Sequence, residues 1–332
     1  MIRPPWKKAL CIGLRYGNLR KIHEDLELTG AHNDPERMRK LLVDHYEYKE
    51  EDIVILRDDN GLEPTKDLIT KKMQDLVRGA QPGDHFVFHF SGHGSQVDAI
   101  ADPNEIDGRD EVIWPYDVKL DIDDNGQLRV QNFIRDDDIK RYLVDRLPPR
   151  VRLALVFDCC HSGTAADLPY NFHFNVDEGN FIQEESPRRI ILARGSSPYG
   201  GCTPIDHGFI TESGMPEVRA VTVKPTFTRQ YSAPSGFDTP ADVTSWAACM
   251  DDQLGFDCPI TGGLFIQLFT CILDCNPAQT HRNFLETLTM ELAHQCKSYN
   301  LNTKDGEICV IPRPQLGSLR HSREILDTLF VL

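Results

Sequence analysis

Apolar residues in this chain follow two rhythms. Short continuous apolar runs read as buried strands, and runs spaced three and four apart read as helices. Lys8-Ala-Leu-Cys-Ile-Gly-Leu14 is a first strand. Thr29-Gly-Ala-His-Asn-Asp-Pro35 is a turn and helix cap, and Met38, Leu41 and Leu42 mark the helix that follows. Asp52-Ile-Val-Ile-Leu56 is a second strand, and Thr65 caps a helix to about Arg78. A third strand begins at Asp84, and a helix from about Asp137 to Leu147 precedes a fourth at Leu153. Farther on, the pattern predicts a strand over Val243–Cys249, helices over Gly262–Leu273 and Phe284–Cys296, and a last strand over Glu307–Pro312. Strands alternating with helices imply an α/β fold, with a mostly parallel central sheet flanked by helices on both faces.

Two of these strands end in reactive side chains. Leu153-Ala-Leu-Val-Phe-Asp-Cys-Cys-His-Ser-Gly163 stops at a thiol and a Gly-bearing turn, and Asp84-His-Phe-Val-Phe-His-Phe-Ser-Gly-His-Gly94 stops at Ser91, His93 and two glycines. In an open parallel sheet, ligands gather outside the C-terminal strand ends. Residues two apart on a strand share a face, so Asp158 should project with Cys160, and Ser91 with His93. The two strands are expected to lie side by side and present Cys160 and His93 to one another, so that the imidazole can take the thiol proton and activate the sulfur. Gly92 and Gly94 would free the backbone near His93 to approach a substrate. The N–H groups of Gly94 and Cys160 would then donate to a developing oxyanion. Taken singly, a strand-end cysteine is more often a core thiol, and a lone histidine more often makes a structural hydrogen bond. Cys159 has the wrong parity to join Asp158 and is assigned to the core. His161 is expected to point away.

Charge refines this picture. The 332-residue chain has a formal net charge of −15, which argues against nucleic acid or an anionic membrane as main partner and suits cationic ligands. Much of the acid lies over residues 97–138, where Asp110, Asp136 and Asp137 fall. Residues 164–240 lose periodicity and carry Arg188, Arg189, Arg194, Arg219, Lys224 and Arg229. So long a structureless stretch inside a compact domain points to a functional or mobile insertion. The ten cysteines lack metal-type spacing and are read as reduced thiols. No apolar run approaches the ~20 residues a membrane span needs, and no signal-peptide pattern opens the chain, so a cytoplasmic location is expected.

Ser-Gly-His-Gly at 91–94, followed by Asp-Cys-Cys-His-Ser-Gly at 158–163, resembles the metacaspases of the caspase-like cysteine peptidase clan. The resemblance runs from about Lys7 to the C-terminus. It implies a caspase-like fold, with a larger segment over 1–170 holding the dyad. A flexible insertion over 171–240 and a smaller segment over 241–332 would complete the same domain. His93 would be the general base and Cys160 the nucleophile, cleaving a peptide bond through an acyl-enzyme.

The resemblance also implies a specificity pocket built by Asp34, Ser91 and Asp158. Two carboxylates in a partly closed pocket select a cation, and a guanidinium can be gripped bidentately. Cleavage after Arg or Lys of a protein or peptide substrate is therefore expected. From the residues alone, Asp34 is equally an N-cap of its helix. Many members carry Cys where this chain has Ala31. Asp110, Asp136, Asp137 and Asp167 match the family's calcium site, and a hard divalent cation needs that many oxygens. Basic residues of the insertion are candidate self-cleavage sites, and a monomer is expected. Two other readings stand beside this one. One is a catalytically weak relative acting as a binding or proteostasis module. The other is a thiol redox protein using Cys159 and Cys160, disfavoured by the missing Cys-x-x-Cys spacing.

Overall fold

The computed structural model of the chain describes residues 3–59, 61–98, 109–122, 128–159, 166, 168–185, 241–249, 257–258, 262–302, 311–320 and 325–332. All of these belong to one compact unit that the chain enters twice, over 1–189 and 239–332.

The strands in chain order are β1 (Lys7–Gly13), β2 (Ile53–Arg57), β3 (His85–Ser91), β4 (Gly94–Asp98), β5 (Arg109–Ile113), β6 (Lys119–Ile122), β7 (Leu128–Gln131), β8 (Ile134–Arg135), β9 (Arg152–Asp158), β10 (Tyr170–Asn175), β11 (Asn180–Glu185), β12 (Asp242–Ala247), β13 (Asp257–Cys258), β14 (Gly262–Gly263) and β15 (Gln315–Ser318). The helices are α1 (Asp34–Tyr46), α2 (Lys66–Val77), α3 (Asp136–Ile139), α4 (Leu264–Cys275) and α5 (His281–Asn302). Eight strands form the main sheet in the order β11-β10-β15-β12-β9-β3-β1-β2. Neighbours from β2 to β12 run parallel, whereas β15, β10 and β11 are joined by antiparallel pairing.

Alternation along the strands sorts the core into two layers. Phe86, Phe88, Phe90 and Phe157 face Ile69 and Met73 of α2 and Ile139 of α3. Val87, Val156 and Trp246 face Met38 of α1, Phe269 of α4 and Phe284 of α5. This is the expected α/β architecture, with helices on both faces. Local signals set the helix ends: the Thr65 hydroxyl accepts from Leu68 N at 3.3 Å to start α2. α1 carries Pro35 in its first turn and stops at Glu47, whose φ of 58° is left-handed.

The insertion does not lose structure at 171, because β10 and β11 form a hairpin that continues the main sheet. Burying Phe172 and Phe174 is what holds it there. The last strand among the described residues is Gln315–Ser318; of the strand expected over Glu307–Pro312, Ile311 and Pro312 lie outside any strand, and 307–310 lie outside the described residues. The helix expected over Asp137–Leu147 is α3 with a π-turn over Lys140–Val144. All six basic residues named as self-cleavage candidates fall in 186–240, outside the described residues.

Candidate active site

The two strands that end in reactive side chains are neighbours. β3 and β9 pair in parallel with Ser91 opposite Asp158, and Gly92 N extends the ladder to Asp158 O at 3.2 Å. Cys160, His161 and Asp167 lie outside the described residues. Cys159 is buried on the α2 side of the sheet, and its carbonyl accepts from Cys249 Sγ at 3.5 Å. It is a core thiol, as its parity implies.

His93 is held on four sides. Its Nε2 lies 3.0 Å from Leu26 O, and its backbone N donates to Tyr16 Oη at 3.0 Å. Its carbonyl accepts from Trp114 N at 3.0 Å. The ring packs against Tyr16 and Trp114, with centroids at 4.8 and 5.1 Å. A carbonyl oxygen can only accept, so Nε2 carries the proton and Nδ1 keeps the lone pair of the neutral ring. Burial pushes the imidazole below its ordinary pKa, and the Leu26 carbonyl opposes this only in part. Gly92 is needed here for a reason other than substrate access. A Cβ at that position would sit 2.6 Å from Tyr16 Oη and 2.8 Å from the Phe90 ring. Gly94 opens β4 opposite Ile113.

Asp34, Ser91 and Asp158 come together on the opposite layer. Gly13 of β1 pairs with Ser91, and a Cβ on Gly13 would strike Ala31 O at 2.5 Å and Pro35 at 2.7 Å. The start of α1 therefore lies directly on the strand ends. Asp34 and Ser91 are fully buried and Asp158 nearly so. Buried carboxylates need donors, and the start of α4 supplies them. Asp34 Oδ2 accepts from Gly263 N at 3.2 Å, and Asp158 Oδ2 from Ile266 N at 3.2 Å. The N-cap reading of Asp34 is overturned: Asn33 holds that position, and Asp34 is the first helical residue.

Three of the four aspartates matched to calcium lie among the described residues. Asp110 on β5 and Asp136 at the start of α3 are both 4% exposed. Arg135, the last residue of β8, forms an ion pair with Asp110. Asp136 Oδ1 accepts from Asp137 N at 2.7 Å. Among the described residues, no three carboxylate, imidazole or thiol side chains group closely enough to hold a metal ion, and Arg135 already neutralises Asp110.

Sequence reasoning missed four contributors. His89 pairs with Ser91, Nε2 to Oγ at 2.9 Å, and burial lowers its pKa to about 3. Its i−2 spacing to Ser91 was the available signal. Gly263 touches both Asp34 and Asp158, and a Cβ there would lie 1.8 Å from Asp158 Oδ2. Tyr16 and Leu26 act through loop geometry, which leaves no pattern in sequence.

Comparison with known proteins agrees with this architecture. Residues 7–169 match the family model described as metacaspase, peptidase C14 domain. A metacaspase-1 of Cryptococcus neoformans is 36% identical over 294 residues, covering 86% of this chain and 59% of that protein. A metacaspase-1 of Pyricularia oryzae is 34% identical over 292 residues, covering 85% of this chain and 67% of that protein. The chain thus spans about three-fifths to two-thirds of the length of these relatives. Among solved structures, protein GSU0716 of Geobacter sulfurreducens shares the fold, with a TM-score of 0.53 at 14% identity over 98% of this chain and 97% of that one. The chain belongs to the metacaspase family. Among the described residues, no helix is long and apolar enough to cross a membrane.

Proposed function

We propose that this chain is a calcium-dependent cysteine endopeptidase that cuts after Arg or Lys. Its base is His93 and its nucleophile Cys160. The Cys160 thiol gives its proton to His93 Nδ1, and the sulfur attacks the scissile carbonyl carbon. His93 then passes the proton to the departing amine, leaving an acyl-enzyme that water hydrolyses. The oxyanion formed on the way would be met by the N–H groups of Gly94 and Cys160.

The observation that carries this reading is the contact of His93 Nε2 with Leu26 O at 3.0 Å. Nε2 is committed to Leu26 O, so the nitrogen free to accept a proton is Nδ1. Basic specificity is supported by Asp34 and Asp158 converging on Gly263, which allows two carboxylates to grip one guanidinium. Calcium rests on the match of Asp110, Asp136, Asp137 and Asp167 to the family's calcium site; among the described residues no three such side chains group closely enough to hold a metal ion, so Asp167 would have to help complete the site at that corner. When bound, calcium would neutralise that corner and steady the adjoining loop. Self-processing within 186–240 and a monomeric state complete the proposal.

Hydrolysis of peptide reporters that differ only in the residue before the scissile bond tests it. Cleavage of the Arg and Lys reporters, lost on chelation and restored by calcium, is expected. Cleavage only after Asp, or undiminished by chelator, contradicts the specificity or the metal requirement respectively.

A further inference from the structure

We propose that Tyr16 is a positioning residue for the general base. It clamps the His93 main chain and imidazole so that Nε2 meets Leu26 O and Nδ1 is turned away from it. The proposal rests on the reading of His93 as the base.

The Tyr16 hydroxyl uses both of its capacities on the residues around the site. It accepts from His93 N at 3.0 Å and donates to Trp114 O at 2.6 Å. Since Trp114 N already donates to His93 O at 3.0 Å, the hydroxyl closes a second link between the same two backbones. A phenylalanine would fill the same volume without making either bond. The ring adds a third grip, 4.8 Å from the imidazole. Tyr16 is fully buried, and burial holds its phenol well above the ordinary value, so it stays protonated and able to donate.

Tyr16 is itself held in an unfavourable backbone state. Its φ of 58° is left-handed, which a bulky non-glycine residue adopts only when its surroundings impose it. Asp58 imposes it, one oxygen accepting from Arg15 N at 2.7 Å and the other from Tyr16 N at 2.8 Å. The same loop carries Leu26. Arg15 O accepts from Leu28 N at 2.8 Å, and Arg15 Nε donates to Glu27 Oε1 at 2.7 Å. Both grips on His93, the hydroxyl and the Leu26 carbonyl, therefore come from one loop fastened at its base by Asp58. Gly92 leaves the room Tyr16 needs.

The test is Tyr16→Phe in the full chain, assayed with calcium on an Arg reporter. The expected result is a fall in kcat of about 10-fold with KM changed less than about 2-fold. The acid limb of kcat/KM should move to higher pH as water reaches the imidazole. NMR titration of His93 in a Cys160→Ala background should show the same upward movement. Tyr46→Phe, which removes a hydroxyl bonded to Pro277 O at 3.2 Å far from the site, should leave both readouts unchanged. Asp58→Asn, a second route to the same loop, should shift both in the same direction if Tyr16→Phe does not fold. Unchanged kcat and acid limb in Tyr16→Phe, or in Asp58→Asn where that variant stands in, overturn the positioning role. An active His93→Ala enzyme instead overturns the assignment of the base.

Discussion

The Nε2 of His93 donates to the carbonyl of Leu26 at 3.0 Å, across 67 positions of chain. That single bond decides which ring nitrogen can act. It also comes with burial, which lowers the imidazole pKa from its ordinary 6.5. A lowered pKa means that the ring gains its proton only at more acid pH. On the reading of His93 as the base, the ring therefore stays neutral, and competent, through the mildly acid range. The acid limb of the kcat/KM profile is expected below 6.5. A limb at or above that value would contradict the buried geometry.

Gly263→Ala should disable the pocket. The added methyl would lie 1.8 Å from Asp158 Oδ2, in a place where Asp34 also bonds the backbone. Overpacking of this kind costs about 1–3 kcal/mol in stability. Displacement of the carboxylates should lower kcat/KM on basic reporters by roughly 100-fold. Kinetics alongside a melting curve separates the two effects, and near-normal turnover would show that Asp158 does not grip the substrate.

Calcium should raise the melting temperature, because a ligand that binds only the folded state stabilises it by mass action. Asp136→Asn, which removes charge from a residue 4% exposed, should diminish that rise. Scanning calorimetry with calcium and with chelator measures both. An equal rise in the variant would place the ion elsewhere.

His89 couples stability to pH. Its folded pKa of about 3 lies below the ordinary 6.5, so between these values the unfolded chain binds the extra proton. Stability from this residue is full above 6.5 and declines as pH falls toward 3. At pH 5 the loss is about 2 kcal/mol. His89→Gln, whose amide does not titrate, should show a shallower decline between pH 7 and 5 in urea denaturation. An identical decline would assign the pH sensitivity to other buried histidines, such as His281.

Much of the fold was legible because the parallel strands are continuous apolar runs. β1, β3 and β9 differ from their expected spans by a residue or two. That β3 and β9 are neighbours was expected because both strands end in the same kind of turn; their register was not. The β10–β11 hairpin was missed although Phe172 and Phe174 alternate with Asn171 and His173, because the surrounding polar composition masked a short period-two run. Asp34, Ser91 and Asp158 were found through their motif. Gly263 was not, because its role is set by a close approach between residues more than a hundred positions apart. Tyr16, Leu26 and Asp58 were invisible for a different reason: a backbone carbonyl and a loop anchor carry no side-chain signature.

The account stands or falls on what the enzyme cuts and with which atom. Mass-spectrometric mapping of products from a peptide mixture, digested with calcium by the native chain and by Cys160→Ala, measures both together. The expected result is new C-termini at Arg and Lys from the native chain and none from Cys160→Ala. New C-termini at Asp, or the same products from both proteins, would contradict it.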